Sequence, residues 1–84
     1  MACYVYLLRS KATGHYYVGC SEHVERRLAE HNRGKVASTR GRRPWELVYT
    51  EAHATRSDAV RRERRLKQMK SSAWLQALIA GRAG

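Results

Sequence analysis

Arg27 and His31 stand four residues apart in the stretch from Tyr17 to His31, YVGCSEHVERRLAEH. On a helix with Val24 at zero, Leu28 falls at about +40°, His31 at about −20° and Arg27 at about −60°, while Arg26 points to solvent at about 200°. A guanidinium and an imidazole therefore share the apolar face. A charge at a core margin is costly unless it has a partner or lines a polar cleft. The plain alternative is that Arg27 buries its stem and keeps its head in water, with His31 an ordinary late-helix histidine. Glu63 poses the same question further on. With Val60 at zero it falls at about −60°, beside Ala59 at about −100° and Leu66 at about −120°, an acid inside an apolar stripe. It is the only carboxylate after Asp58. Its plain alternative is an i,i+4 pair with Lys67. The chemistry open to these groups is specific. A guanidinium fork grips two oxygens of a phosphate, an imidazole takes or passes a proton, and a carboxylate holds a divalent cation.

Residues of these types need elements to hold them. Cys3 to Leu8, CYVYLL, reads as a strand with Tyr4, Tyr6 and Leu8 on one face and Cys3, Val5 and Leu7 on the other. Both faces are apolar, so both are expected to be covered, or one to line a site. Ser10 to His15, with Gly14, closes a hairpin, and Tyr16 to Gly19 returns. A helix is expected from an N-cap at Ser21 to about Asn32, with Glu22 and Glu25 in its first turn and Gly34 as its stop. Lys35 to Pro44 is a basic loop. Trp45 to Thr50 reads as a third strand with Trp45, Leu47 and Tyr49 on one face. Thr55 and Asp58 fit a capping box for a helix from Arg56 to Met69. A last helix starts at Ser71 or Ser72, carries the stripe Trp74, Leu75, Leu78 and Ile79, and ends at Gly81. This is an α/β pattern, a small antiparallel sheet flanked by helices, read as a single domain over residues 1–84.

The balance of 17 Lys+Arg against 7 Asp+Glu gives a net charge of +10, which points to a polyanionic partner. Nucleic acid comes first. An anionic membrane surface comes second, but the basic helix near Arg61 to Lys70 has too narrow an apolar stripe for it. No apolar run approaches the length of a membrane span, and the start lacks the features of a signal peptide. Cys3 and Cys20 form no metal-type cluster. Two reduced thiols in a cytoplasmic protein are the simplest reading.

The stretch from Tyr17 resembles a known family. Tyr17-Val18-Gly19 after a short hairpin, followed by a helix with Arg27 and His31, looks like the second half of the GIY-YIG nuclease motif. Tyr4-Val5-Tyr6 stands where that family has Gly-Ile-Tyr, and Glu63 stands where it has a later glutamate. The likeness runs from Cys3 to about Ile79 and is greatest to small stand-alone members. It implies a GIY-YIG-like fold, three strands and three helices in the order β-β-α-β-α-α. It also implies a metal-dependent endonuclease that hydrolyses phosphodiesters in DNA, or RNA, directed by structure rather than sequence and acting on branched or damaged forms. Tyr6, Tyr17, Arg27, His31 and Glu63 become the candidate catalytic set. Glu63 would hold Mg²⁺ or Mn²⁺, Arg27 would grip the scissile phosphate, and Tyr6 would be the general base with Tyr17 as helper. His31 would take or pass a proton. Lys35, Arg40, Arg42 and Arg43 would contact the nucleic acid backbone. The five catalytic candidates are expected on one concave surface.

Three departures bear on this reading. Tyr4 replaces the first glycine of the motif, and Cys20 stands where some relatives carry lysine. The family often has a late asparagine, whereas the only asparagine here is Asn32. With no second DNA-binding domain, sequence preference is either low or supplied by a protein partner. The main alternative is a non-catalytic nucleic-acid-binding protein that keeps the nuclease fold; a third is a protein-interaction adaptor. The oligomeric state is not legible.

Overall fold

Strand β1 (Cys3–Ser10) is apolar on both faces because both are covered. It is the central strand of a three-stranded antiparallel sheet in the order β2-β1-β3, with β2 spanning Tyr16–Ser21 and β3 Trp45–His53. Helix α1 (Val24–Asn32) lies on one face; α2 (Arg56–Gln68) and α3 (Ser72–Ile79) lie on the other. The order β-β-α-β-α-α is the expected one. The computed structural model describes residues 2–69 and 72–81. Ser71, one of the two expected starts of the last helix, lies outside them; Ser72 opens α3.

The alternation of β1 divides the core in two. Cys3, Val5 and Leu7 pack with Val18 against Ala59, Leu66, Leu75 and Leu78 of α2 and α3. Tyr6 and Leu8 pack with Trp45 against Val24 and Leu28 of α1. The expected single face of Trp45, Leu47 and Tyr49 is corrected. Leu7 and Leu8 are neighbours in β1, yet they face Tyr49 and Leu47, so Val48 is an extra residue in β3. A bulge of this kind resets the alternation. Tyr49 therefore packs on the α2 side and Trp45 on the α1 side.

One helix boundary also differs from expectation. Ser21 ends β2 and does not cap α1. Its hydroxyl accepts the His23 amide at 2.9 Å in a tight turn, which carries Glu22 past before α1 begins at Val24. The Thr55 cap forms as expected, its hydroxyl accepting the Asp58 amide at 3.1 Å. Gly34, at φ +78°, closes α1.

Asn32 does work that its helix position does not announce. Its side-chain amide donates to the Trp45 carbonyl at 3.0 Å, and its carbonyl accepts the Trp45 amide at 2.7 Å. The side chain pairs like a strand and joins the end of α1 to the start of β3. Asn32→Ala leaves both Trp45 groups unpartnered and is expected to cost about 1–3 kcal/mol in urea unfolding, with Asn32→Asp intermediate.

Candidate active site

Tyr6 lies across Gly19 of the neighbouring strand. A Cβ at residue 19 would sit 2.6 Å from the Tyr6 ring and hydroxyl and 3.1 Å from the Tyr17 ring. The missing side chain is what lets the two phenols and His31 gather under α1. The centroids are 4.7 Å apart for Tyr17 and His31, 6.2 Å for Tyr6 and His31, and 6.4 Å for the two tyrosines.

A chain of hydrogen bonds fixes the protons in this cluster. The Thr39 hydroxyl donates to the Val36 carbonyl at 3.3 Å, so toward His31 Nδ1, 2.8 Å away, it accepts. All of these groups are satisfied together when His31 carries its proton on Nδ1 and its bare Nε2 accepts the Tyr6 hydroxyl at 3.2 Å. His31 is fully buried, and burial together with the Arg27 charge lowers its pKa against the opposing effect of Glu30. Burial also pushes the Tyr6 phenol up to about 12, although Arg27 pulls the other way. Loss of hydration outweighs the nearby guanidinium, so Tyr6 is protonated at neutral pH. Thr39 was not singled out in the sequence. A threonine in a polar loop carries no signal until the loop is seen folding back under His31.

Arg27 neither snorkels freely nor stands alone. It donates to Glu30 at 2.7 Å and faces the Tyr6 hydroxyl. Arg26 is exposed. In the basic loop, Lys35, Arg40, Arg42 and Arg43 are exposed and form no salt bridge among the described residues. The loop has its own order. Arg40 donates to the Gly34 carbonyl at 2.8 Å, Arg43 to the Arg40 carbonyl at 2.9 Å, and the buried Ser10 hydroxyl to the Arg42 carbonyl at 2.6 Å.

Glu63 is not with the tyrosines. Side chains alternate along β2, so Tyr17 and Gly19 face α1 while Cys20 faces α2. Glu63 sits on the α2 side, accepting the Cys20 thiol at 3.6 Å and pairing with Lys67 at 3.4 Å. Burial and then the Glu63 charge push the Cys20 thiol up to about 11, so it stays protonated. The two halves approach at the outer edge of β2, where the Lys67 ammonium lies 6.0 Å from the Tyr17 ring centroid. The structure thus groups Tyr6, Tyr17, Arg27 and His31, with Glu63 across the strand.

A three-stranded sheet with paired tyrosines on its first hairpin and an arginine and histidine on the next helix defines a nuclease-type scaffold. The sequence profile of the GIY-YIG catalytic domain matches residues 2–76, and the chain belongs to that family. It is 46% identical over 77 residues to a UPF0213 protein of Halobacterium salinarum, covering 90% of this chain and 97% of that one. It is 45% identical over 82 residues to a UPF0213 protein of Natronomonas pharaonis, covering 96% and 94%. The solution NMR structure of a UPF0213 protein from Bacillus halodurans superimposes with a TM-score of 0.61 at 36% identity, covering 100% of this chain and 88% of that one.

The proton map is testable by long-range ¹H–¹⁵N correlation. His31 should show the Nδ1–H tautomer; Thr39→Val should shift it toward Nε2–H, and Thr39→Ser should keep it. The pH dependence follows from the lowered His31 pKa. The unfolded chain takes a proton near the ordinary 6.5, whereas the folded one resists. Stability is therefore full above about pH 6.5 and falls as the pH drops below it. Urea midpoints taken from about pH 7.5 to 5.5 should fall more steeply for the wild type than for His31→Gln.

Proposed function

We propose that this protein is a metal-dependent endonuclease acting on the phosphodiester backbone of DNA, directed by structure rather than sequence. The observation that carries the reading is the relay from Arg27 through Tyr6 to a neutral, oriented His31. The arginine can hold the scissile phosphate by two oxygens while touching the hydroxyl that must act on water. Tyr6, protonated at neutral pH, takes the proton of the attacking water as it hands its own to His31 Nε2. The arriving phosphate anion favours the imidazolium that forms. Tyr17, against the imidazole, orients the water or the phosphate.

Among the described residues no three His, Cys, Asp or Glu side chains gather into a metal site. Mg²⁺ needs no such cage when waters and substrate phosphates complete its shell around one carboxylate. Glu63 fits that role. Its oxygens are hard donors, its side chain is 16% exposed, and a neutral thiol and a lysine are partners that a cation can displace. Mg²⁺ or Mn²⁺ would neutralise charge on the phosphoryl and leaving oxygens. Lys35, Arg40, Arg42 and Arg43 contact the backbone of the bound strand.

One observation favours the second reading, a nucleic-acid binder that keeps the nuclease fold. Glu63 is across β2 from the tyrosines, and binding alone does not require it. The discriminating experiment is a cleavage screen with Mg²⁺ or Mn²⁺ over single-stranded, duplex, nicked and branched DNA. Glu63→Gln should stay folded, still bind, and lose metal-dependent cleavage. Arg27→Ala should lower turnover about 100-fold or more while Arg26→Ala does little. Full cleavage by Glu63→Gln, or equal effects at positions 26 and 27, would leave the binder as the reading.

A further inference from the structure

The outer face of α2 has no part in the site described above, yet it carries a dense cluster of arginines. The helix holds six cations, Arg56, Arg61, Arg62, Arg64, Arg65 and Lys67, against the carboxylates of Asp58 and Glu63. Lys67 and Glu63 pair with each other toward β2. The four arginines from Arg61 to Arg65 fall on the opposite arc. With His53 and Gln68 they line a cleft of about 600 Å³ between α2 and the end of β3. Asp58 is the single carboxylate in its lining, and its contact with Arg61 is a 3.7 Å pair exposed on both sides, too weak to cancel four guanidiniums.

Arg62 apart, the fold gains little from this arrangement. Arg61 and Arg65 stand at i,i+4, and Arg61 and Arg64 and also Arg62 and Arg65 at i,i+3, spacings at which like charges repel across a helix surface. Arg64 and Arg65 form no salt bridge among the described residues. The layer behind the lining, in contrast, is built. Glu51 accepts Arg62 at 2.8 Å, His53 at 2.9 Å and the Tyr49 hydroxyl at 2.6 Å, and these bonds hold its pKa low against the burial that opposes them. One carboxylate thus anchors Arg62 and His53 at the base, while Arg61, Arg64 and Arg65 stand around it.

We propose that this cleft is a second docking surface for double-stranded DNA, engaging the phosphate backbone of a segment other than the one at the tyrosines. Its wall offers N–H donors in quantity and one weakly held acceptor, which suits phosphate oxygens and carries no means of reading bases. The tyrosine cluster lies toward β2 and under α1; the cleft lies beyond β3 and against α2. The two therefore face opposite sides of the sheet in a body 30 × 29 × 19 Å, so a straight duplex lying along one face leaves the other uncovered. The partner is a bent duplex, a second arm of a branched one, or a second molecule. The inference rests on the nucleic-acid part of the proposed function and is independent of catalysis.

The test is run in EDTA, so that cleavage plays no part. Two short duplexes, one labelled with a donor and one with an acceptor fluorophore, are mixed with the protein, and energy transfer reports bridging. Binding of a single duplex is followed by anisotropy from about 50 to 200 mM KCl. The wild type should bridge the duplexes. Arg61→Ala/Arg64→Ala/Arg65→Ala should abolish bridging, while a single duplex still binds at the other surface with the salt slope of that surface alone. The variant should melt no lower than the wild type, because repulsion is removed and alanine favours helix. The triple lysine variant keeps the charge and should keep bridging. Absence of bridging by the wild type, bridging retained in the alanine variant, or loss of bridging in the lysine variant would each overturn the proposal. Bridging without metal-dependent cleavage would remove the nuclease reading and leave this one standing. Cleavage without bridging would do the reverse.

Discussion

A phenol laid across a glycine sets the terms of this structure. Tyr6 can occupy the central strand, be almost fully buried, and still reach a histidine on α1 only because residue 19 has no side chain in the way. Strand β1 then serves two cores at once. Its odd-numbered residues fill the layer beneath α2 and α3, and its even-numbered ones carry the tyrosine to the other side. The burial that stabilises this arrangement also sets its acid–base character. It keeps Tyr6 protonated and His31 uncharged, so any proton movement between them has to be a handover rather than the work of a preformed ion.

The sheet also divides the polar groups. Arg27, Tyr6, Tyr17 and His31 stand on the α1 side, whereas Glu63 and Cys20 stand on the α2 side, and the exposed flank of β2 is where the two sets come nearest. β2 is an edge strand, so nothing of the sheet covers that flank. A backbone lying along it meets a guanidinium and a phenol from one face and an ammonium and a carboxylate from the other. The separation of Glu63 is a matter of strand parity. Residue 20 has to point away from residues 19 and 17, and α2 packs where residue 20 points.

Much of the fold was legible because it depends on local rules. Alternation in CYVYLL gave a strand covered on both faces, the threonine before α2 gave a cap, and Gly34 gave a stop. Helical spacing placed Arg27 and His31 on the inner face of α1 correctly. The same arithmetic set Glu63 in an apolar stripe, and it does lie there, paired with Lys67 as the simpler reading had it. What the spacing could not say was which side of the sheet that stripe would cover. Contacts made by short polar side chains across sequence gaps were also invisible. Thr39 beneath His31, Asn32 on the Trp45 backbone and Ser10 on the Arg42 carbonyl each depend on where a loop returns, and no periodicity encodes that. The bulge at Val48 belongs to the same class, since one extra residue in a strand leaves no compositional mark.

The loop between α1 and β3 has two jobs written on alternate surfaces. Its outward side is a row of arginines, and its inward side is Thr39, which holds the imidazole with its hydroxyl and the Trp45 indole with its carbonyl at 2.9 Å. Anyone redesigning this protein to take a different polyanion would reach first for that loop, and the two jobs set different rules. Arg42 can be exchanged as surface lettering, whereas Arg40 and Arg43 also hold loop carbonyls and are best replaced by groups that still donate. A change in the number of residues between Val36 and Thr39 cannot be made, because it would pull the threonine out from under the ring. In this scaffold substitutions in the loop retune the surface, while insertions rewire the interior.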